Sequence, residues 1–367
     1  MRFRFLGGGD GWMALSVFVL LMLGMAALWS MALGAASPSD FSFLYKQIFA
    51  AVLGIFLAVG IMGWDARLLK SYAGPLFIAG AAMLAAVLIF GVERRGTVGW
   101  FDLGAASFQP VELAKIILVI VLAAILSARK EKKVGWRVLL ISAIPVVIYS
   151  SLVFVQPDFG SLALMLAVWA LMLFFAGLDR RLCLGMAGAG ATAMLAGWFL
   201  FFEEFQRQRI LTFLNPSADP LGSGYNVAQS KIAVGSGRLF GRGLGFGPQS
   251  QLNYLPEAKT DFLFAAIAEG LGFVGVVLVV AAFAVFFWRI YRLIRDSRDD
   301  YSSILAFGIG ALFFTQMTVN ISMNLGIFPV TGLPLPFVSY GGSALLSSLL
   351  AFGILQSLAR NSSNMVS

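Results

Sequence analysis

The chain has 367 residues, of which 59% are hydrophobic and 12% charged, and its mean hydropathy is +0.88. These values exclude an ordinary soluble globular domain and indicate that most of this chain lies in lipid. The formal net charge of +8 would fit a nucleic-acid-binding protein. The cations cluster in alternate connections between apolar stretches, however, as the positive-inside rule describes for membrane proteins. We therefore expect no nucleic-acid partner.

Ten apolar stretches of about 20 residues recur along the chain, and each is long enough to cross a hydrocarbon core of about 30 Å. They cover residues 12–34, 45–63, 72–92, 109–128, 135–154, 158–177, 181–202, 262–288, 302–325 and 342–359. The first stretch is too long for a signal peptide and lacks an obvious cleavage site, so it is taken as a retained span. The sequence therefore predicts an all-α integral membrane protein with about ten transmembrane helices in a single domain, 1–367.

The connections predicted to face the cytoplasm are rich in lysine and arginine. They contain Arg2, Arg4, Arg67, Lys70, Arg129, Lys130, Lys132, Lys133, Arg137, Arg180, Arg181, Arg289, Arg292, Arg295 and Arg298. With Arg360 in a short cytoplasmic tail, they place both termini in the cytoplasm. Seven spans in 1–203 then lead to one long extracytoplasmic loop, 204–261, and the last three spans lie in 262–367.

The chain has no histidine and a single cysteine, Cys183. A disulfide framework and a cysteine-ligated metal site are therefore excluded. Any proton transfer must fall to carboxylates, lysine, tyrosine or the substrate itself.

The fourth span carries two ionisable residues, Glu112 and Lys115, three residues apart on one helical face. An ionisable group at membrane depth is costly unless it is paired, so each is a functional candidate. A purely structural ion pair is one interpretation, and a Lys115 that helps to neutralise a phosphate near the outer leaflet is the other. Asp158, in the external turn between the fifth and sixth spans, is expected either to cap the following helix or to line an outer site.

The long loop has an unusual cationic load for the outer face, which an anionic ligand or anionic lipid headgroups would explain. Its cations are Arg207, Arg209, Lys231, Arg238, Arg242 and Lys259. Apolar residues alternate with glycines from Gly222 to Gly247, so the loop is predicted to lie on the membrane surface. The glycines would permit tight turns and let backbone amides approach a ligand such as a diphosphate.

The eighth span begins beside Asp261, directly after Thr260. A threonine cap with an acidic first turn is the structural interpretation of this pair. Glu269 lies about two turns further along the same face, where burial would require a partner or a proton. Near the C-terminus, Pro329, Pro334 and Pro336 interrupt an apolar stretch, which predicts a re-entrant segment lining an outer cavity. Ser339 and Gly341 in this stretch are candidates for the cavity lining.

Several long motifs resemble the SEDS family (shape, elongation, division and sporulation) in the right order over nearly the whole chain. They are FQPVELAK at 108–115, QPDFG at 156–160, QRQRI at 206–210, NPSADPLGSGYNVAQSKIAVGSG at 215–237, YLPEAKTDF at 254–262 and PLPFVSYGGS at 334–343. QRQRI, QSKIAVGSG and PQSQLNYLPE resemble the RodA branch, which acts in elongation, more than the FtsW branch, which acts in division. The sequence departs from the family pattern at Gly99, Val111, Lys259 and Gly270.

The resemblance implies a peptidoglycan glycosyltransferase of the bacterial cytoplasmic (inner) membrane, with its active site on the outer face. Lipid II would be both donor and acceptor, and a class B penicillin-binding protein and the elongation machinery would be partners. The resemblance makes Asp261 the essential catalytic residue and Glu112 with Lys115 an important pair. Two alternatives remain open, a lipid II flippase and a scaffold that recruits cell-wall enzymes.

The implied reaction requires a group that deprotonates the acceptor hydroxyl and groups that stabilise the leaving diphosphate. Asp261 is the candidate base, or else a carboxylate that holds a divalent cation, Mg²⁺ or Mn²⁺, against the diphosphate. The candidate diphosphate clamp consists of Lys115, Arg207, Arg209, Lys231, Arg238 and Arg242.

Overall fold

The computed structural model describes residues 4–5, 8–33, 41–94, 96–102, 104, 107–129, 133–201, 204–215, 222–252 and 254–364. Within these ranges nine helices are long and apolar enough to cross a membrane, and another apolar helix has 17 residues. The helices that match the predicted spans are α1 (Gly11–Leu33), α2 (Ser42–Gly63), α3 (Ala73–Phe90), α4 (Pro110–Ser127), α5 (Trp136–Val155), α6 (Phe159–Phe175), α7 (Arg180–Ala196), α11 (Leu263–Asp296), α12 (Asp300–Asn324) and α13 (Gly342–Asn364). The predicted all-α multi-pass membrane fold is confirmed.

The connections between these helices contain short elements of their own. A 3-10 helix, Ala66–Lys70, follows α2, and a π-helical turn, Gly197–Phe201, continues α7. The described part of the predicted long loop contains three helices, α8 (Glu204–Leu214), α9 (Ser223–Ser236) and α10 (Pro248–Gln251). Among the described residues five short strands also form, in a β1-β2 pair (Arg4–Phe5, Gly9–Asp10) and an antiparallel sheet of β3 (Val92–Arg94), β4 (Thr97–Asp102) and β5 (Ser107–Phe108). Arg2, Lys130, Lys132 and positions 216–221 of the long loop motif lie outside the described residues.

Helix α4 forms the centre of the bundle, where it packs against α3, α5, α6 and α12. Its residues are apolar on every side apart from Glu112, Lys115 and the terminal Ser127, and 78% of its membrane window is buried in protein. A helix that is hydrophobic all round and covered by neighbours is typical of a protein core. Helix α7, by contrast, has only 6% of its window buried and therefore lies at the periphery.

One end of the bundle is tied together around Asp10, just before α1. Its carboxylate caps α1 by accepting the Met13 N–H at 3.0 Å and also accepts a hydrogen bond from Arg289 of α11 at 2.7 Å. Its backbone exchanges two hydrogen bonds with the Gln356 side chain of α13. Arg360 lies at the same end, where it donates to the carbonyl of Gly63 at 2.9 Å. Arg289 and Arg360, two of the cations predicted to be cytoplasmic, thus lie at the same end of the bundle. That this end faces the cytoplasm stays a prediction.

The segment 325–341 between α12 and α13 is irregular, yet much of it is buried. Leu335, Phe337 and Val338 are each at most 2% exposed. Helix α1 approaches this segment so closely at Gly24 that a methyl group there would overlap the Val338 carbonyl. Because Gly24 lies near the middle of α1, the irregular backbone reaches the interior of the bundle, where the surrounding helices cover it. Its re-entry from the outer face stays a prediction.

A methyl group on Gly24 should therefore destabilise the protein. We expect Gly24→Ala to cost about 1–3 kcal/mol, because α1 and the segment must separate to accommodate it. Thermal unfolding in detergent measures the effect. Gly60→Ala on α2 is the matched control, since a Cβ there meets nothing within 4 Å. Equal midpoints for the two variants would contradict the close contact.

Candidate active site

Asp261 lies in a tight turn immediately before α11. The N–H groups of Asp261 and Phe262 both donate to the carbonyl of Glu257, at 3.1 and 3.3 Å. Thr260 does not cap α11, because its hydroxyl bonds to Glu257 instead, at 3.1 Å from the carboxylate oxygen. The structural interpretation of Thr260 as a helix cap was therefore wrong, since the chain turns back on Glu257, which has a φ of +56°, before the helix begins at Leu263.

Two buried amides of α12 hold the backbone of Asp261 in place. Asn320 and Asn324 each donate from Nδ2 to the Asp261 carbonyl oxygen at 3.0 Å, and both side chains are fully buried. Asn320 also donates to the carbonyl of Leu333 at 2.8 Å, and Asn324 accepts the Ala265 N–H at 3.1 Å. The two amides therefore join α12, the start of α11 and the irregular segment into one rigid unit.

The carboxylate of Asp261 is half-buried and faces Gly332 in the irregular segment. Its Oδ2 lies 3.9 Å from the position that a Cβ on Gly332 would occupy. Gly332 has a φ of +75°, a conformation that glycine adopts without strain. The backbone of Asp261 is thus fixed, its carboxylate is partly accessible, and Gly332, which faces the carboxylate, has no side chain.

Substitution of Asn324 should disturb Asp261 without touching its side chain. Asn324→Ala leaves the Ala265 N–H without its partner and removes one support of the Asp261 carbonyl, at an expected cost of about 1–3 kcal/mol. Thermal unfolding in detergent measures the loss. Ser142→Ala is a suitable control for the loss of a buried hydrogen bond, because that hydroxyl bonds to Leu139 of α5 and Trp169 of α6, in another part of the described bundle. An unchanged midpoint for Asn324→Ala would contradict the support.

The predicted Glu112–Lys115 ion pair forms in the bundle interior. Lys115 Nζ lies 2.7 Å from Glu112 Oε1, and the two side chains are 1% and 7% exposed. Glu112 lines a narrow cavity with Gln316 and Ser339 beneath the irregular segment. The pair thus lies below the segment that carries Gly332.

Ser339 and Gly341 help to hold the irregular segment in place. The Ser339 hydroxyl accepts the Leu335 N–H at 2.9 Å. The side chain of Gln47 in α2 donates to the Ser339 carbonyl and accepts the Gly341 N–H, both at 3.1 Å. Their polar groups are therefore engaged within the protein, although Ser339 still borders the narrow cavity.

Asp158 caps α6 by accepting the Ser161 N–H at 3.0 Å, as the structural interpretation expected. Two residues later, Gly160 packs against the carbonyl of Thr331, next to Gly332. The start of α6 therefore borders the same segment as Asp261.

Two of the predicted loop cations lie near the C-terminal end of α12. The side chain of Lys231 on α9 lies across Gly326, and the adjacent Ser230 donates to the carbonyl of Asn324 at 2.8 Å. Arg209 of α8 borders a cleft formed with Val227, Gly326 and residues 328–330. Because Asn324 also holds Asp261, the structure brings these two cations and the carboxylate to one end of the bundle.

The other cations occupy different positions. Arg242 is exposed, and its N–H donates to the carbonyl of Glu269, about two turns from Asp261 along α11. Arg207 is partly buried, and its Nε has no hydrogen-bond partner in the part of the chain that the structure describes. Lys259 places its ammonium 3.9 Å from the ring centre of Phe43, a cation–π contact.

Known proteins resemble this chain over nearly its full length. A family model described as FTSW_RODA_SPOVE, cell cycle protein, matches residues 11–364. The chain belongs to this family. It is 36% identical over 354 residues to the peptidoglycan glycosyltransferase MrdB of Escherichia coli K12, covering 95% of this chain and 93% of that one. It is 33% identical over 356 residues to the probable peptidoglycan glycosyltransferase FtsW of Thiomicrospira cyclica, covering 95% and 91%.

Among the solved structures that share the fold are two that align over nearly the whole chain. One, described as the structural coordination of polymerization and crosslinking by a peptidoglycan synthase complex, superposes with a TM-score of 0.81 at 30% identity and covers 98% of this chain and 99% of that one. The other is an Asp-to-Ala mutant of the Thermus thermophilus rod shape determining protein RodA, with a TM-score of 0.73 at 28% identity and coverages of 97% and 99%. The FtsW/RodA/SpoVE fold of this chain is thus a multi-pass fold of the bacterial inner membrane.

Asn320 and Asn324 were not predicted as site residues from the sequence. Both are polar residues four positions apart in an otherwise apolar span, so they lie on one face of α12. Buried polar side chains in a span need hydrogen-bond partners and usually connect helices. That spacing was the available signal, and only the fold shows that their partner is the backbone of Asp261.

Among the described residues, no group of three or more Asp, Glu, His or Cys side chains could hold a metal ion. Fewer than three such side chains would therefore hold a cation at Asp261. Mg²⁺ is commonly bound by one or two carboxylates together with waters and substrate phosphates. A cation at this site would fit only if the substrate completed its coordination.

Proposed function

We propose that this chain polymerises peptidoglycan glycan strands on the outer face of the inner membrane, with lipid II as donor and acceptor and Asp261 as the reactive carboxylate. Its membership in the family and the names of its relatives make the chain a peptidoglycan glycosyltransferase. The observation that carries the rest is the geometry of Asp261. The buried amides of Asn320 and Asn324 fix its backbone, and its half-buried carboxylate faces Gly332.

The reaction joins two lipid-linked sugars. A hydroxyl of the acceptor attacks the anomeric carbon of the donor, a new glycosidic bond forms, and the lipid diphosphate leaves. Asp261 accepts the hydroxyl proton as this bond forms. Since the chain contains no histidine, the carboxylate of Asp261 is the available proton acceptor at this position. The missing side chain at Gly332 leaves room for the incoming sugar.

The leaving diphosphate requires positive charge beside the reacting centre. Lys231 and Arg209 lie near the C-terminal end of α12, the same end to which the Asn324 amide attaches Asp261. We assign these two cations to the diphosphate. Arg242 lies beside Glu269 of α11, about two turns from Asp261, and Lys115 is engaged with Glu112, so we assign neither to the clamp.

A divalent cation, Mg²⁺ or Mn²⁺, would supply additional charge neutralisation when bound. Asp261 would hold it from the protein side, and the diphosphate oxygens would complete its coordination. In that role the carboxylate is a ligand rather than a base. Dependence of turnover on added cation separates the two roles.

The proposed partner is a class B penicillin-binding protein that crosslinks the new strands within the elongation machinery. The solved complex that shares this fold is described as coordinating polymerization with crosslinking. Identity to the E. coli and T. cyclica relatives is similar, so the elongation role rests on the three loop motifs at 206–210, 229–237 and 248–257. The division-specific role is the alternative.

The proposed activity is tested with purified protein in detergent, given lipid II and Mg²⁺ or Mn²⁺, with and without the cognate penicillin-binding protein. We expect glycan polymer on a gel. The absence of polymer under every condition, together with movement of lipid II across liposome membranes, would overturn the proposal in favour of a flippase. The absence of both activities, with retained binding to the penicillin-binding protein, would favour a scaffold.

A further inference from the structure

We infer that Glu269, whose carboxylate is fully buried, is a positioning residue. It holds a segment of the long loop, residues 237–251, against α11, the helix that follows Asp261. This inference rests on the proposed function, because it assigns the segment a role in holding substrate. The feature that carries it is a break in α11. Gly272 has a φ of +65° and a ψ of −159°, so the helix is interrupted about one turn after Glu269.

A broken helix leaves backbone groups without helical partners, and in lipid such groups are costly. Here residues 238–243 of the long loop supply the partners. The carbonyls of Glu269 and Gly270 accept the N–H groups of Arg242 and Gly243, at 2.9 and 3.0 Å. Across the break, the N–H groups at 273 and 274 donate to the carbonyls at 238 and 239, at 2.8 and 3.1 Å.

Glycines make this close approach possible. A methyl group on Gly237 would overlap the carbonyl of Ala268, and one on Gly241 would overlap the carbonyl of Gly270. Gly241 also has a φ of +81°. Four backbone hydrogen bonds and these close contacts bind the segment to α11. We call residues 237–251 of the long loop, bound in this way, the clasp.

The side chain of Glu269 holds the far end of the clasp. Its Oε1 accepts the N–H of Gln249 at 2.9 Å and its Oε2 accepts the N–H of Ser250 at 3.0 Å. Hydrogen bonds to a carboxylate are stronger than neutral ones, particularly away from water. The clasp also reaches α1, where Ser30 accepts hydrogen bonds from the Gly245 N–H at 2.6 Å and the Gln251 amide at 3.0 Å.

The clasp determines where the cations of α9 lie, because it begins where α9 ends. Helix α9 packs on α11 and α12 and is attached at Ser230 to Asn324, the residue that supports Asp261. Lys231 follows Ser230 directly. With Ser230 held on one side and the clasp on the other, Lys231 keeps a fixed position relative to Asp261. Loosening the clasp should therefore weaken substrate binding and leave the Asp261 carboxylate in place.

The variants are Glu269→Ala, which removes both acceptors, and Glu269→Gln, which keeps one oxygen. Tyr149→Phe is the matched control, since it deletes a buried hydrogen bond to Phe77 between two other membrane helices. Gly272→Ala is a second variant, because a Cβ there would overlap the Gly241 N–H. It disturbs the clasp without altering Glu269.

Two measurements are made on each variant. Hydrogen exchange at residues 247–252 should be about tenfold faster in Glu269→Ala and unchanged in Tyr149→Phe. The KM for lipid II should rise about tenfold with kcat within about threefold of wild type, because binding common to ground and transition states is lost. Glu269→Gln should fall between wild type and Glu269→Ala, and Gly272→Ala should show the same KM effect.

Unchanged exchange in Glu269→Ala would overturn the clasp. Faster exchange with a fall in kcat alone would overturn the positioning role, since a misfolded fraction lowers kcat without raising KM. If the wild type makes no polymer, the proposed function fails. In that case exchange and equilibrium lipid II binding decide the clasp: binding about tenfold weaker in Glu269→Ala supports it, and unchanged binding overturns it.

Discussion

Asp261→Asn should reduce glycan polymerisation by about 10²- to 10⁴-fold, the range typical of losing a general base. Asparagine has nearly the shape of aspartate but cannot accept the proton, and it is a poorer ligand for a cation. The hydrogen bonds from Asn320 and Asn324 reach the backbone carbonyl of residue 261, so they survive the substitution. The folded state should therefore persist, and the loss should appear in turnover.

The control for this variant is Asp299→Asn, the same chemical change at the opposite end of α12. Asp299 caps that helix by accepting the Ser302 N–H at 2.8 Å, and asparagine caps helices about equally well. Turnover by Asp299→Asn should remain within about threefold of wild type. Turnover is followed as polymer formed from labelled lipid II, in samples matched for thermal midpoint. An Asp261→Asn variant as active as the Asp299→Asn control would remove Asp261 from the reaction.

Breaking the buried ion pair of α4 should produce the largest loss of stability. Lys115→Met leaves Glu112 without its partner among apolar side chains, and Glu112→Gln does the same to Lys115. Removing one partner of a buried pair typically costs about 3–5 kcal/mol. Thermal unfolding in detergent should show a marked drop in the midpoint for each single variant.

The double variant Glu112→Gln with Lys115→Met should recover much of that loss, because no unpaired charge remains in the bundle. Arg94→Gln is the control, since Arg94 and Asp102 form an exposed pair at 3.1 Å, and such pairs contribute little. Recovered stability without recovered turnover would give the pair a second role beneath the irregular segment. Additive losses in the double variant would contradict the view that the unpaired charge is the cause.

The spans and the Glu112–Lys115 pair were predictable because they depend on local periodicity and length. Apolar stretches of about 20 residues have few alternatives to a membrane helix. Residues three apart in a helix must share a face, so the pairing followed from spacing alone. The cap of α6 by Asp158 followed from the same kind of local rule.

The interior of the site depended on contacts that no local pattern contains. Residues 262–288 looked like one uninterrupted span, but α11 breaks at Gly272, because residues 238–243 are available to bond its backbone. The glycines of the loop were predicted to offer amides to a diphosphate. Instead the amides of Arg242, Gly243 and Gly245 bond to α11 and α1. A glycine-rich sequence permits close backbone approach but does not specify the partner.

Lipid II binding and turnover measured together on Asp261→Asn test the central claim most directly. We predict that the variant binds lipid II within about threefold of wild type while polymer formation falls by about 10²-fold or more, because the clasp and cations remain and the reactive carboxylate is lost. Polymer formation at the wild-type rate would contradict the account and place the chemistry elsewhere in the chain.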